Sequence, residues 1–193
     1  MIARTMIFCI LGVGAFAADG VFAGAPKDKF GNADKITVEI ARQTSAGGWA
    51  LGVFLDNDEE LAAITVPLSF GERVGQFALD SVVFSNTRTQ YFGLRTTNSY
   101  DTLNRVLIGL LYTLGGDELP LEPGSGPVAW VYLTARNAAG TQPPHIDSTF
   151  FPPFNTLELV TPSAEPIKPI FETKIVAKLT EWIHQTRATK KNR

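Results

Sequence analysis

Leu51–Phe70, LGVFLDNDEELAAITVPLSF, consists of two apolar runs separated by the polar segment Asp56, Asn57, Asp58, Glu59 and Glu60. Each run has the length of a strand and is rich in β-favouring residues. Apolar residues resume after Glu60 without a helical period, so the acidic segment is a turn and not a helix start. The stretch reads as two strands and their connection. Pro67 stands inside the second run, and because proline has no N–H to give to a ladder, that strand is expected on a sheet edge or at a bulge.

The flanking sequence continues the pattern. Lys35–Ala41 (KITVEIA) alternates, with Ile36, Val38 and Ile40 on one face and Lys35, Thr37 and Glu39 on the other, the period of a half-buried strand. Gly47 and Gly48 mark the turn into Trp49–Leu55. Downstream, Leu79–Phe84 is a strand closed by the polar run Ser85–Thr89, Tyr91–Leu94 is a further short strand, and Asn98–Asn104 is a turn. Arg105–Leu114 is apolar on both faces, and Gly109 inside it with Gly115 and Gly116 behind it favours a central strand over a helix. Gly116–Pro127 is a loop. It leads into Val128–Ala135, which places Ala129, Val131 and Leu133 on one face and Val128, Trp130, Tyr132 and Thr134 on the other. Thr156–Val160 is a last short strand with Leu157 and Leu159 together. Short strands separated by Gly/Pro turns, without a long amphipathic helix among them, define an all-β fold, an antiparallel β-sandwich.

A chain of 193 residues with 45% apolar content holds one ordinary core. Its net charge of −2 gives no basic excess for a nucleic-acid partner. The N-terminus follows a different logic. Arg4, the apolar run Met6–Phe16 and the small residues up to Ala23 form a secretory signal peptide over residues 1–23, with cleavage after Ala23 or, alternatively, at Ala15–Ala17. The run is shorter than the roughly 20 residues that span a bilayer. Cys9, the only cysteine, lies inside it, so the mature chain is expected to have neither disulfide nor thiolate, as fits a bacterial secreted protein. Residues 24–34 read as a flexible entry, 35–171 as the sandwich, and 172–193 as a helix with a basic tail.

The residue inventory does not favour catalysis. His145, in PPHID, and His184 are the only histidines, and His145 beside Asp147 reads as a solvated loop residue. Ser125 lies between Gly124 and Gly126 without the spacing of a nucleophile elbow. The acidic turn Asp56–Glu60 lacks the glycine and terminal glutamate of an EF-hand loop and reads as a charged hairpin turn. No enzyme, metal site or cofactor is expected.

LDNDEELAAITVPLSF, then LDSVVFSNTR, then PLEPGSGPVAWVYLTA resembles, in that order, the cohesin-like modules of secreted bacterial proteins. The resemblance covers Lys35–Val160 and rests on turn and core signatures. It implies a jelly-roll sandwich related to the scaffolding and carbohydrate-binding modules of extracellular assemblies. Cohesins bind dockerins through a sheet face, so it also implies a dockerin-like protein partner. The sequence shows one module and no dockerin-like calcium repeat beside it. A polysaccharide is the alternative partner, and a structural subunit of an extracellular assembly is a further possibility. Sugar rings stack on exposed aromatics, for which Trp130 and Tyr132, sharing a strand face, and Trp49 are the candidates.

Glu172–Thr186 (ETKIVAKLTEWIHQT) departs from the β pattern. Ile175, Val176, Leu179, Trp182 and Ile183 fall on one side of a helical projection, so an amphipathic helix is predicted. Its apolar stripe needs a cover: the sandwich itself, a partner chain, or a membrane surface helped by Arg187, Lys190, Lys191 and Arg193.

Overall fold

The computed structural model describes residues 27–42, 48–112, 119–136 and 142–177. They form eleven strands in two sheets, and no α-helix occurs among them. The first sheet has the order β11-β1-β2-β7-β4, built from Ile170–Ile175 (β11), Lys35–Arg42 (β1), Gly48–Asn57 (β2), Gly124–Ala135 (β7) and Phe77–Val83 (β4). The second has the order β10-β9-β3-β6-β5: Pro166–Ile167 (β10), Glu158–Val160 (β9), Ala63–Phe70 (β3), Arg105–Leu111 (β6) and Leu94–Tyr100 (β5), with Ile146–Ser148 (β8) also on β3.

The alternation seen in the sequence is what fills the space between the sheets. Ile36, Val38, Leu51, Val53, Val131 and Leu133 point inward from the first sheet, and Ile64, Val66, Leu68, Val106, Ile108 and Leu110 answer from the second. The connection Asp58–Ala62 carries the chain from one sheet to the other, because β2 pairs with β1 and β7 while β3 pairs with β6. The acidic segment is therefore a turn, as expected, but it crosses between layers and does not close a hairpin.

Pro67 lies in a strand with partners on both sides, not on an edge. β6 runs along one side of β3, whereas the other side is shared by β9 at Ala63–Thr65 and β8 at Leu68–Phe70. The Pro67 carbonyl accepts from Thr149 N on the β8 side at 3.1 Å. A strand residue points its N and its C=O the same way, so the missing N–H falls in the gap between β9 and β8.

The C-terminal expectation needs correction where it is described. Glu172–Ile175 is not the first turn of a helix; it belongs to β11, which pairs in parallel with β1 from Lys35↔Ile170 to Ile40↔Ile175. Val176 N continues the ladder to Ile40 O at 2.8 Å, so these backbone groups are committed to the sheet. Residues 178–193, with the rest of the predicted helix and tail, lie outside the described residues. Within the entry segment, Lys27–Asp34 forms a turn, closed by a Lys27↔Asn32 bridge and by Asp28 Oδ1 accepting from Phe30 N and Gly31 N at 2.8 and 3.0 Å. The signal segment lies outside the described residues.

Candidate functional site

Each sheet turns one face to the core and one outward, and residues paired across neighbouring strands share a face. On the first sheet the outward row runs Val83, Trp130, Gly52, Glu39, Lys174 from β4 to β11. Trp130 stands edge-on to Phe54, with ring centroids 6.0 Å apart and planes at 85°. Gly52 makes this possible: a Cβ there would lie 2.5 Å from Phe54 Cε2 and 2.9 Å from Trp130 Cζ3, so the rings settle where a side chain would be. Tyr132 is on the same outward face, opposite Ala50 and Ser81.

Trp49 is not part of this group. It is one residue out of phase with Ala50 and Gly52, points into the core and is 4% exposed. The sequence candidates thus divide into an outward pair, Trp130 and Tyr132, and a core residue. The β1 and β11 end of this face is charged. Lys35 and Glu172 are 3.8 Å apart, and burial raises the Glu39 carboxyl above its ordinary range while Lys174 opposes the shift.

The outward face of the second sheet has a different chemistry. Leu94, Thr96 and Asn98 of β5 stand opposite Leu111, Gly109 and Leu107 of β6, and Gly109 and Leu111 stand opposite Thr65 and Ala63 of β3. The centre of the face is small, apolar or hydroxylated and carries no formal charge. Arg105, Asp147 and Glu158 occupy its margins, paired in register with Tyr100, Ser69 and Thr65. At the Tyr100 end, the Phe151 ring lies 5.1 Å from that of Tyr100 and Arg105 Nη1 donates to Phe150 O, which closes that end of the face. Leu94 is half exposed on the edge strand.

Of the remaining candidates, His145 is exposed and its carbonyl accepts from Gly71 N at 2.8 Å, a loop contact. Ile175 is exposed at the end of β11 and Val176 is half-buried after it; Leu179, Trp182, Ile183 and His184 lie outside the described residues.

One residue organises the polar end of the sandwich without having stood out in the sequence. Arg88 Nη1 donates to Leu55 O, Asn57 Oδ1 and Gly124 O at 3.2, 2.8 and 2.8 Å, and Nη2 donates to Glu122 O at 2.6 Å. Its stem runs over Gly126, where a Cβ would lie 2.9 Å from Arg88 Cδ. Asn57 passes the tie on, donating from Nδ2 to Glu59 O at 2.6 Å. The acidic turn is thus held in shape from outside by a cation that bonds the Asn57 side chain and, through it, the Glu59 backbone.

Two packed sheets, antiparallel except for the β1–β11 pair, define a β-sandwich. The sequence matches no protein-family model and no curated protein. Solved structures do match. A non-cellulosomal cohesin from the hyperthermophilic archaeon Archaeoglobus fulgidus is similar at a TM-score of 0.51 and 14% identity, over 79% of this chain and 97% of that one. A type I cohesin–dockerin complex from Clostridium thermocellum contains a chain similar at 0.57 and 10%, over 75% and 100%. A type I cohesin from Pseudobacteroides cellulosolvens is similar at 0.55 and 9%, over 75% and 93%. At these identities the likeness is one of fold. The chain has a cohesin-like fold, as the turn and core signatures lead one to expect.

Proposed function

We propose that this chain is a non-catalytic binding module that presents the outward face of β5, β6 and β3 to a protein partner. The observation that carries this reading is the uncharged centre of that face, with Arg105, Asp147 and Glu158 at its margins. Interfaces bury their apolar and neutral centre and leave charge on the rim, because desolvating an unmatched charge opposes binding. The fold likeness supports the same reading, since several of the similar structures are cohesins in complexes with dockerins. The apolar start of the sequence supports export through residues 1–23, which places the proposed partner outside the cytoplasm, at the cell surface or in the medium.

Affinity capture from the native secretome, run with the full chain and with Leu94→Arg, tests this. Leu94 is half exposed on an edge strand, so arginine there adds charge to the face without entering the core. The wild type is expected to retain a defined protein and Leu94→Arg to lose it. Retention by both, or by neither, contradicts the proposal, and self-association alone indicates a structural subunit.

A second reading is favoured by one observation, the outward Trp130 and Tyr132 on the other sheet. If a polysaccharide is the ligand, glycan pull-downs retain the wild type and Leu94→Arg, and release Trp130→Ala.

A further inference from the structure

The turn Lys27–Asp34 and the connection after β2 meet in a group of carboxylates that the partner-binding reading does not use. Asp28, Asp34 and Glu59 each place a carboxylate oxygen within 4.8 Å of the others. Asp34 is 2% exposed, and both of its carboxylate oxygens, like both of those of Glu59, are buried without a hydrogen-bond donor among the described residues. Carboxylates only accept when ionised, so Asp34 and Glu59 satisfy each other only by holding a proton or a cation between them.

We propose that Asp28, Asp34 and Glu59 form a calcium site that fastens the N-terminal turn to the connection between β2 and β3. A calcium ion takes about six to eight oxygens at roughly 2.3–2.6 Å, so oxygens on opposite sides of one ion are up to about 5 Å apart, the span of this group. Magnesium requires roughly 2.0–2.1 Å and strict octahedral geometry, which a group of this width suits less well.

The surroundings are prepared for a cation. Asp28 is oriented by the N–H groups of Phe30 and Gly31 and, at 3.4 Å, of Asp34, all of which leave it acceptor capacity. Asp58 adds a fourth carboxylate beside Gly31, held by Asn32 N at 2.8 Å. Arg88 holds Asn57, and through it the Glu59 backbone, without spending its charge on the carboxylates. Lys29 is engaged with Glu165 instead. In the absence of an ion, burial, with Asp34, Asp58 and Asp28 nearby, pushes the Glu59 carboxyl up to about 9, and burial raises Asp34 as well. A cation bound among these oxygens would take the place of the proton that burial favours.

The sequence reading of Asp56–Glu60 on its own points away from a metal because the other two ligands come from the entry segment. The proposal is independent of the partner and is read without one. The full chain, stripped with EGTA, is titrated with CaCl2 by calorimetry and melted with and without the ion. One site is expected, with a melting point raised by roughly 5 °C at millimolar calcium and by less with MgCl2. Glu59→Gln and Asp34→Asn are expected to abolish the heat and the shift. In EGTA, Glu59→Gln should melt at or above the wild type, because an amide replaces a buried carboxyl that must take up a proton on folding; in calcium it should melt below it. That crossing also shows that the variant folds. If Asp34→Asn does not fold, Asp28→Asn replaces it. No heat and no shift at 10 mM calcium, an equal shift with magnesium, or a response that persists in Glu59→Gln would overturn the proposal.

Discussion

The two outward faces of this sandwich share a backbone plan and differ in what stands on it. On the first sheet, the glycine at the middle of the face, Gly52, is filled over by Phe54 and Trp130, and charged pairs occupy the neighbouring strands. On the second, Gly109 lies among Thr96, Thr65 and Leu111, where a Cβ would meet only Thr96 Oγ1, at 2.8 Å. The first face has already packed its own aromatic cover. The second leaves a neutral surface, and the binding role proposed for β5, β6 and β3 rests on this difference more than on the likeness of fold.

The largest effect separates the face from the layer beneath it. Ile108, fully buried one residue from Gly109, points into the core, so Ile108→Ala should destabilise the fold by about 2–5 kcal/mol in a urea titration. Leu94→Arg, on the outward side of the adjacent strand, should leave the unfolding midpoint nearly unchanged. A similar loss in both variants would mean that the outward residues hold the fold together and are not free for a partner.

The two glycines provide the next comparison. Gly52→Ala forces the Phe54 and Trp130 rings to shift and should cost about 1–3 kcal/mol with a change in tryptophan fluorescence. Gly109→Ala asks only Thr96 to adjust and should cost about 1 kcal/mol or less. Equal costs would contradict the contrast between a self-packed and an open face.

The smallest effect concerns the charged half of the first face. Burial holds the Glu39 carboxyl above its ordinary range, and Lys174 offsets this only in part. The folded state therefore keeps a proton at pH values where the unfolded chain has lost it, and stability falls as pH rises through that window. Glu39→Gln removes the loss, so the variant should match the wild type in acid and be slightly more stable at neutral pH by thermal melting. A variant less stable at neutral pH would show that Lys174 outweighs burial.

What was legible in the sequence follows from which forces leave a local trace. β1, β2, β4, β6 and β7 bury alternate apolar residues, or both faces, and each shows in its own residues. β5 does not: LRTTNSY is exposed along almost its whole length, so neither face imposes a period, and Asn98–Asn104, read as a turn, holds the end of β5, a 3-10 turn at Asp101–Leu103 and Asn104. β11 was mistaken for a helix start because its parallel partner, β1, lies far away in the sequence, and local spacing carries no record of that pairing. The aromatic pair Trp130 and Tyr132 was readable from its spacing. Trp49 was misplaced because it lies on the opposite phase of β2, and phase relative to another strand is a property of the sheet. The carboxylate group was hidden for a similar reason: Asp28 and Asp34 sit in a segment whose composition suggests only a linker, and folding brings them to Glu59.

The claim that the second face is the binding face is tested most directly by hydroxyl-radical footprinting of the full chain, alone and with the captured partner. Oxidation of Leu94 and Tyr100 should fall on binding while that of Trp130 and Tyr132 stays unchanged. Protection of Trp130 and Tyr132 with Leu94 and Tyr100 still oxidised would contradict the account and move the binding site to the first sheet.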